Sequence, residues 1–437
     1  MKKLLSYVIA IILSLSMAMF VVGCDDETSQ EENVTTGNFK YEIVTGERDK
    51  ETPEYDDNNQ EVKDEFGKVV YEKEEYEYYK ITGYTISSDD ATKIANGDFS
   101  GLKREIVIPK TYTELEGATK DLPIEEIGVS AFSGNLIFTK VTVGDNIKKI
   151  GEGAFADCIN LKTLEIPFIG KSADAVNQES LFGFIFGSSS SDGTSKVTSV
   201  TAKLHQRVDE SGTVISSEED ITFQIPTSLE NVVITGEPNV IRECAFYGMT
   251  TLKNVKIPDT VTEIQNHAFY GCSALLTIEI PAGVTEIGAY AFSNASSLYH
   301  VEYKDKDNSV LQTIGAHAFE GCTLLNSSYV VSDVPLSLPS TVTKIGEKAF
   351  ASCTSIITVD FENLNLATLE TSVFEGCTAI KTVKLSVGAG NKLVVRNGAF
   401  KGAELLKQQG VYVNGVNDAT VKTFLDIKTG AFPFDFE

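Results

Sequence analysis

Between residues 252 and 292 the apolar positions fall into two superimposable blocks. Leu252, Val255, Ile257, Val261, Ile264, Ala268 and Phe269 form the first, and Leu275, Ile278, Ile280, Val284, Ile287, Ala291 and Phe292 repeat it 23 residues later. Within a block, Val255-Lys256-Ile257-Pro258 alternates apolar and polar residues, which predicts a short strand with one buried face. Asp259-Thr260 supplies a turn, Val261 to Ile264 a second short strand, and the run ending in Ala268-Phe269 a tight helical turn.

The same Ala-Phe or Val-Phe pair recurs ten times, with its Phe at 132, 155, 246, 269, 292, 319, 350, 374, 400 and 432. The shortest interval is 23 residues, and the longer ones read as one period plus an insertion. One such turn cannot bury its own apolar face. Stacking turns in register buries each inward set against its neighbours and pairs each strand with the next. The fold class expected is a leucine-rich-repeat solenoid of stacked short parallel strands and tight helical or 3-10 turns, mostly β and irregular. About eleven turns at ~4.8 Å per strand would make a rod roughly 50 Å long. Pro258 and Pro281 sit at strand ends, where a missing N–H costs no ladder bond, and Gly288, Gly315 and Gly346 mark the exit into the helical turn.

The pattern loosens in three places. Residues 68–122, with Tyr71, Tyr76, Tyr78, Tyr79 and Tyr84 alternating with polar residues, read as hairpin-like strands forming an N-terminal cap and first turn. Between Phe155 and Phe246 lies a degenerate turn, Phe182 to Gly187, and then an insertion over 188–222 that leaves the rod. Such excursions often carry binding function in solenoids, although a Ser/Gly-rich segment can equally be a plain flexible loop. At the other end, Leu369 to Phe374 and Phe424 to Phe432 keep only part of the pattern, so 403–437 reads as a degenerate repeat or cap. The folded repeat domain is expected over 68–437.

The N-terminus adds an address. Lys2 and Lys3 precede an uncharged apolar run, Leu4 to Val22, closing on Gly23-Cys24. Residues 1–23 read as a signal peptide, and the closing residues resemble the bacterial lipobox, in which the cysteine is acylated. Cys24 is then a lipid anchor. A membrane-spanning N-terminal helix is the alternative for a run of this length. Residues 24–67 are expected to be an acidic flexible tether: positions 25–65 hold 15 Asp/Glu against 4 Lys/Arg, a self-repelling composition. Asp25, Asp26 and Glu27 lack the glycine-punctuated spacing of a calcium loop.

Charge and chemistry narrow the function. The formal charge of −25 becomes −27 without Lys2 and Lys3, which argues against nucleic acid as a partner. Cys158, Cys272, Cys322, Cys353 and Cys377 each lie three residues after a repeat Phe, so they are expected as a column of buried thiols rather than disulfides. Cys244 breaks that phase and is expected to be free or semi-exposed. His267 and His317 directly precede an Ala-Phe pair and are expected on the solvated side of the turn. No CxxC pair, GxSxG elbow, HExxH helix, Walker loop or dinucleotide fingerprint occurs, so no metal, cofactor or catalysis is expected.

The candidate site is the outward row of the strands: Lys162, Thr163, Glu165, Lys253, Asn254, Lys256, Thr277, Glu279, Tyr299, His300, Glu302, Thr358, Asp360, Lys381, Thr382 and Lys384, read as one continuous ribbon. Lys253, Lys256, Glu279, Tyr299, His300, Glu302, Asp360 and Lys384 are its candidate binding residues. Tyr299 and His300 stand out because aromatic rings give large contact area at low entropy cost.

The phrase Val284-Thr285-Glu286-Ile287-Gly288 leading to Ala291-Phe292, preceded by a strand ending in Ile280-Pro281, closely resembles the BspA-like leucine-rich-repeat proteins, over about residues 68–437. The resemblance implies a cell-surface protein engaged in adhesion to host matrix proteins, other bacteria or surfaces, with no catalytic residues. The expectation is a lipid-anchored recognition protein of the bacterial envelope with a protein or glycan ligand. A structural envelope scaffold is the alternative, and a carbohydrate-active enzyme the remote one.

Overall fold

A computed structural model describes residues 39–53, 71–112, 122–188, 196–208, 214–327, 334–386, 393–396, 398–406, 410–413 and 416–417, with the bridge residues Lys63 and Val69. The signal peptide, Cys24, residues 25–38 of the tether, Phe424 and Phe432 lie outside the described residues.

The chain is a leucine-rich-repeat solenoid. Seven described strands form one parallel sheet in the spatial order His300–Tyr303, Thr277–Ile280, Asn254–Lys256, Asn231–Ile234, Thr163–Ile166, Lys140–Thr142, Glu105–Val107. Register is kept turn after turn: Lys140 faces Thr163, Thr163 faces Asn231, Asn231 faces Asn254, Asn254 faces Thr277 and Thr277 faces His300. A second parallel sheet stacks the two-residue strands Val240–Ile241, Glu263–Ile264, Glu286–Ile287, Thr313–Ile314 and Lys344–Ile345. The wedge between the sheets is closed by the Ala-Phe turns, whose rings form a column. Phe246, Phe269, Phe292, Phe319, Phe350, Phe374 and Phe400 follow one another at 5.0–5.5 Å between centroids, with planes within 9°. Each turn is also tied to the next by a backbone bond, as Phe269 N–H to Ala291 O and Phe292 N–H to Ala318 O, both 2.7 Å.

The five in-phase cysteines are buried, and each thiol donates to the carbonyl of the Phe one turn back at 3.0–3.2 Å. Burial pushes the thiols of Cys158, Cys272 and Cys377 up to about 12. All six described cysteines are unpaired thiols with buried side chains. Iodoacetamide near pH 8, where a free thiol of pKa ~8.5 is partly ionised, is therefore expected to leave them unlabelled in the native protein and to label all six in denaturant. Native labelling of Cys272 at the rate of a small thiol would contradict this packing.

The N-terminal cap begins earlier than expected. Phe39–Pro53, inside the segment assigned to the flexible tether of residues 24–67, is a strand antiparallel to Tyr71–Tyr84. Two effects outweigh its charge. Phe39 is buried edge-on at 6.1 Å from Phe132, and Tyr41 stacks on Tyr112 at 4.0 Å, so the strand seals the open end of the column. The outward acids find cations across the hairpin, Glu42 with Lys80 at 3.0 Å and Glu74 with Arg48 at 2.6 Å.

The segment expected to leave the rod over 188–222 holds most of an antiparallel hairpin, Val197–Val208 with Val214–Pro226, which runs four residues past it. The rod closes beneath it, since Thr163–Ile166 pairs directly with Asn231–Ile234. Val200, Ala202, Leu204, Ile221, Phe223 and Ile225 bury one face of the hairpin, so this part is not a free loop. Phe182–Phe186, a 3-10 turn, bridges the gap in the stack: Phe155 N–H donates to Ile185 O, and Phe182 N–H to Ala245 O.

Candidate functional site

Along the long sheet the strand residues alternate inward and outward, so the side chains on the outer face follow from the repeat alone. Lys253, Lys256, Glu279, Tyr299, His300 and Glu302 are exposed on it, and Asp360 and Lys384 are partly buried. Four of the eight are engaged in ion pairs between turns. Lys253 holds Glu230 at 2.9 Å, Lys384 holds Asp360 at 3.1 Å, and Glu279 lies 3.9 Å from Lys304, which also holds Asp259 at 2.6 Å. Such solvent-exposed pairs are worth ~0–1 kcal/mol, so they occupy these side chains without contributing much to the rod.

The outer row is not one continuous ribbon. It stops at His300–Tyr303, and a separate described sheet begins with Thr358–Phe361, paired to Thr382–Leu385 and then Gly410–Val413. Thr358, expected on the outside, is buried. The break has a local cause. After Tyr303 the chain turns through left-handed Asp305 and the short 3-10 turn Lys306–Asn308. When it returns at strand level, Leu336 bonds to the far strand: its N–H donates to Thr358 O at 2.8 Å, and its carbonyl accepts from Asp360 N–H at 2.9 Å. Among the described residues, no strand pairs with the outer edge of the near strand.

That edge is one wall of a cleft of about 180 Å³. Val301 and Tyr303 line one side, Val334, Pro335 and Leu336 the other, and Phe319, Leu325 and Phe350 the floor. Its rim carries His300, Glu302, Lys306, Asn326 and Ser337. Both ends are bridged: Asn326 N–H donates to Tyr299 O at 2.9 Å while its side chain donates to Val334 O at 3.1 Å, and Lys306 Nζ donates to Ser337 Oγ at 2.7 Å. Burial lowers the Lys306 ammonium from its usual range, against the opposing influence of Asp307 and Asp360. An apolar floor with a few convergent polar groups is the usual make-up of a binding site. The volume is below the ~300–1,000 Å³ of drug-sized pockets, so it accommodates one side chain or one sugar ring of a larger ligand. A second cavity, about 10 Å³ beneath the hairpin, has room for a single water at most, which needs roughly that volume.

Of the eight candidates, the structure therefore brings His300 and Glu302 to the cleft, with Tyr299 beside it, leaves Lys253, Lys256 and Glu279 along the long sheet, and puts Asp360 and Lys384 on the separate one. Lys306, Asn326 and Ser337 were missed. The signal for Asn326 and Ser337 was the 31-residue interval from Phe319 to Phe350, eight residues longer than the unit, and for Lys306 the 27-residue interval from Phe292 to Phe319, four longer.

The chain was compared with known proteins. A search of the curated proteins found no match. Among solved structures it is similar to a leucine-rich repeat protein from Bacteroides ovatus ATCC 8483, at 18% identity over 79% of this chain and 76% of that one, with a TM-score of 0.31. It is also similar to a leucine-rich cell surface protein from Faecalibacterium prausnitzii A2-165, at 17% identity over 84% of this chain and 96% of that one, with a TM-score of 0.27. The pneumococcal vaccine antigen PcpA matches at 18% identity over 71% of this chain and 66% of that one, with a TM-score of 0.30. The family model for the BspA-type leucine-rich repeat region matches in six copies over residues 71–168, 219–335 and 333–425. With the repeat register, the Phe column and this match together, the chain belongs to the BspA-type leucine-rich-repeat family.

Proposed function

We propose that this protein is a cell-surface recognition or adhesion protein, anchored through acylated Cys24, that lays a protein or glycan ligand along the outer face of its long sheet and seats one group of it in the cleft at His300, Glu302 and Lys306. The observation that carries this reading is the interruption of the strand ladder after Tyr303, which leaves, among the described residues, a strand edge without a partner strand and an apolar floor beside cationic, acidic and imidazole groups. An unpaired edge offers main-chain donors and acceptors to an extended peptide, and Tyr299 beside it offers an aromatic platform. A cavity sized for one side chain or one sugar ring, with polar groups at its rim, supports a binding role.

The test uses cells displaying the full chain, probed with labelled matrix proteins, glycans and cell-wall polymers. Saturable binding is expected. His300→Ala and Tyr299→Ala should leave display unchanged and weaken binding about tenfold each, the loss typical of a residue worth more than ~1.4 kcal/mol at an interface. Cys24→Ala should abolish incorporation of a labelled fatty acid and block removal of residues 1–23. Binding unaffected by either ring substitution would remove the cleft from the proposal, and fatty-acid labelling that persists in the Cys24 variant would remove the anchor.

A further inference from the structure

Cys244 is the one described thiol that the repeat does not explain. It stands two residues before Phe246, in the left-handed conformation (φ 57°) that Ser130, His267, Tyr290, His317, Lys348 and Ser372 adopt at the same place in their own turns. Those positions stack along the rod: the rings of His267 and Tyr290 lie 4.9 Å apart and those of Tyr290 and His317 4.3 Å apart, with planes within 7°. The expectation that the histidines are simply solvated is corrected here, because stacking half-buries both. Cys244 is buried rather than semi-exposed because the hairpin crosses over it, and its thiol faces Lys203 O at 3.4 Å, longer than any bond in the in-phase column.

Register then does what no short motif could. One turn separates position 244 from 267, so His267 comes alongside Cys244, and the preceding Glu243 points to the same spot. One carboxylate oxygen of Glu243, the Cys244 Sγ and one imidazole nitrogen of His267 all lie within 4.8 Å of one another. From this geometry we infer a binding site for a divalent transition metal of the zinc class, with Glu243, Cys244 and His267 as its three protein ligands and a fourth position open to water.

Zinc bonds of ~2.0–2.3 Å to O, N and S put tetrahedral donors roughly 3.3–3.8 Å apart. The three groups therefore need to close by about 1 Å, a movement within reach of the rotatable, partly exposed Glu243 and His267 side chains. The thiolate, imidazole and carboxylate together select zinc or cobalt over calcium or magnesium. Metal coordination lies in the imidazole plane, so the Tyr290 ring, stacked on its face, fixes the plane of His267 without blocking coordination. Burial, and then the Glu243 carboxylate, hold the Cys244 thiol protonated, far above its usual range. A dication reverses both influences: the S–metal bond replaces S–H, the proton passes to solvent, and the cation balances the carboxylate.

The test is cobalt(II) titration of the full chain in detergent, with Cys24→Ala throughout so that the N-terminal thiol contributes nothing. One equivalent should produce the near-ultraviolet sulfur-to-cobalt charge-transfer band and the visible bands of four-coordinate cobalt, both displaced by zinc. Cys244→Ser should abolish the charge-transfer band. His267→Ala, on the partly exposed side and so harmless to the core, should weaken cobalt binding at least about tenfold, since even outer-shell changes cost that much. Cys272→Ser, in the column, should leave the spectrum intact. No charge-transfer band in the parent, or a band that survives in Cys244→Ser or keeps its affinity in His267→Ala, would overturn the site.

Discussion

Replacing Phe292 with alanine is expected to lower stability by ~3–5 kcal/mol, the range for buried aromatic truncation. Phe292 is fully buried and stacked between Phe269 at 5.0 Å and Phe319 at 5.2 Å, with planes 3° and 7° apart. Truncation removes its own buried area and also two aromatic contacts, each worth ~0.5–1.5 kcal/mol beyond area. A solenoid's stability is a sum of single-turn terms and nearest-neighbour interfaces, so the loss falls on both interfaces of one turn. Guanidinium denaturation followed by far-ultraviolet circular dichroism should show an earlier midpoint and a transition that splits, as the turns on either side uncouple. Hydrogen exchange should rise first at Phe269 N–H and Phe292 N–H, which tie that turn to its neighbours. A midpoint shift equivalent to less than ~1 kcal/mol, the central effect of any single substitution, would mean that the Phe column is not what couples the turns.

Gly315→Ala should come close behind, at about 2–3 kcal/mol, the upper part of the overpacking range. A Cβ at Gly315 would lie 2.5 Å from Ala289 N and Gly288 C, and the same approach recurs at Gly288, 2.6 Å from Asn266 N, and at Gly346, 2.4 Å from Ala316 N. None of the three has a left-handed backbone. They are glycines because one turn's backbone rests on the next, and the obstacle is main chain that cannot rotate aside. To admit a methyl group the turns must separate, stretching the 2.7 Å bond from Gly315 N–H to Ile287 O. Gly283→Ala is the matched control: its Cβ would meet Val261 O at 3.6 Å, ordinary contact. That change should be neutral or stabilise by ~0.4–1 kcal/mol through the unfolded chain. Equal effects at Gly283 and Gly315 in the same denaturation assay would refute the stacking explanation.

These two positions show how far the chain could be read in advance. Phe292 was visible as a core residue because the pair Ala291-Phe292 recurs in phase. Gly315 was visible only as punctuation, because backbone approach between turns leaves no trace in a single repeat. The eight candidate binding residues were placed on the outer face by strand alternation. Which of them meet was not legible, because it depends on where the sheet breaks.

The solenoid is written in the repeat: the phase of Leu275, Ile278, Ile280, Val284, Ile287 and Phe292 within 23 residues dictates which face each turn buries, and that burial is a local property copied from turn to turn. The remaining features arise from contacts between distant parts of the chain. Phe39–Pro53 became a cap strand because a column end must be covered and Tyr71–Tyr84 supplied the matching edge. Leu336 chose Val359 over the strand at Tyr303, opening the cleft. His267 came alongside Cys244 because register converts a separation of one repeat into a few ångströms. In each case the deciding contact joins residues from different turns or from the chain's non-repeating parts, where pattern within one repeat carries no information.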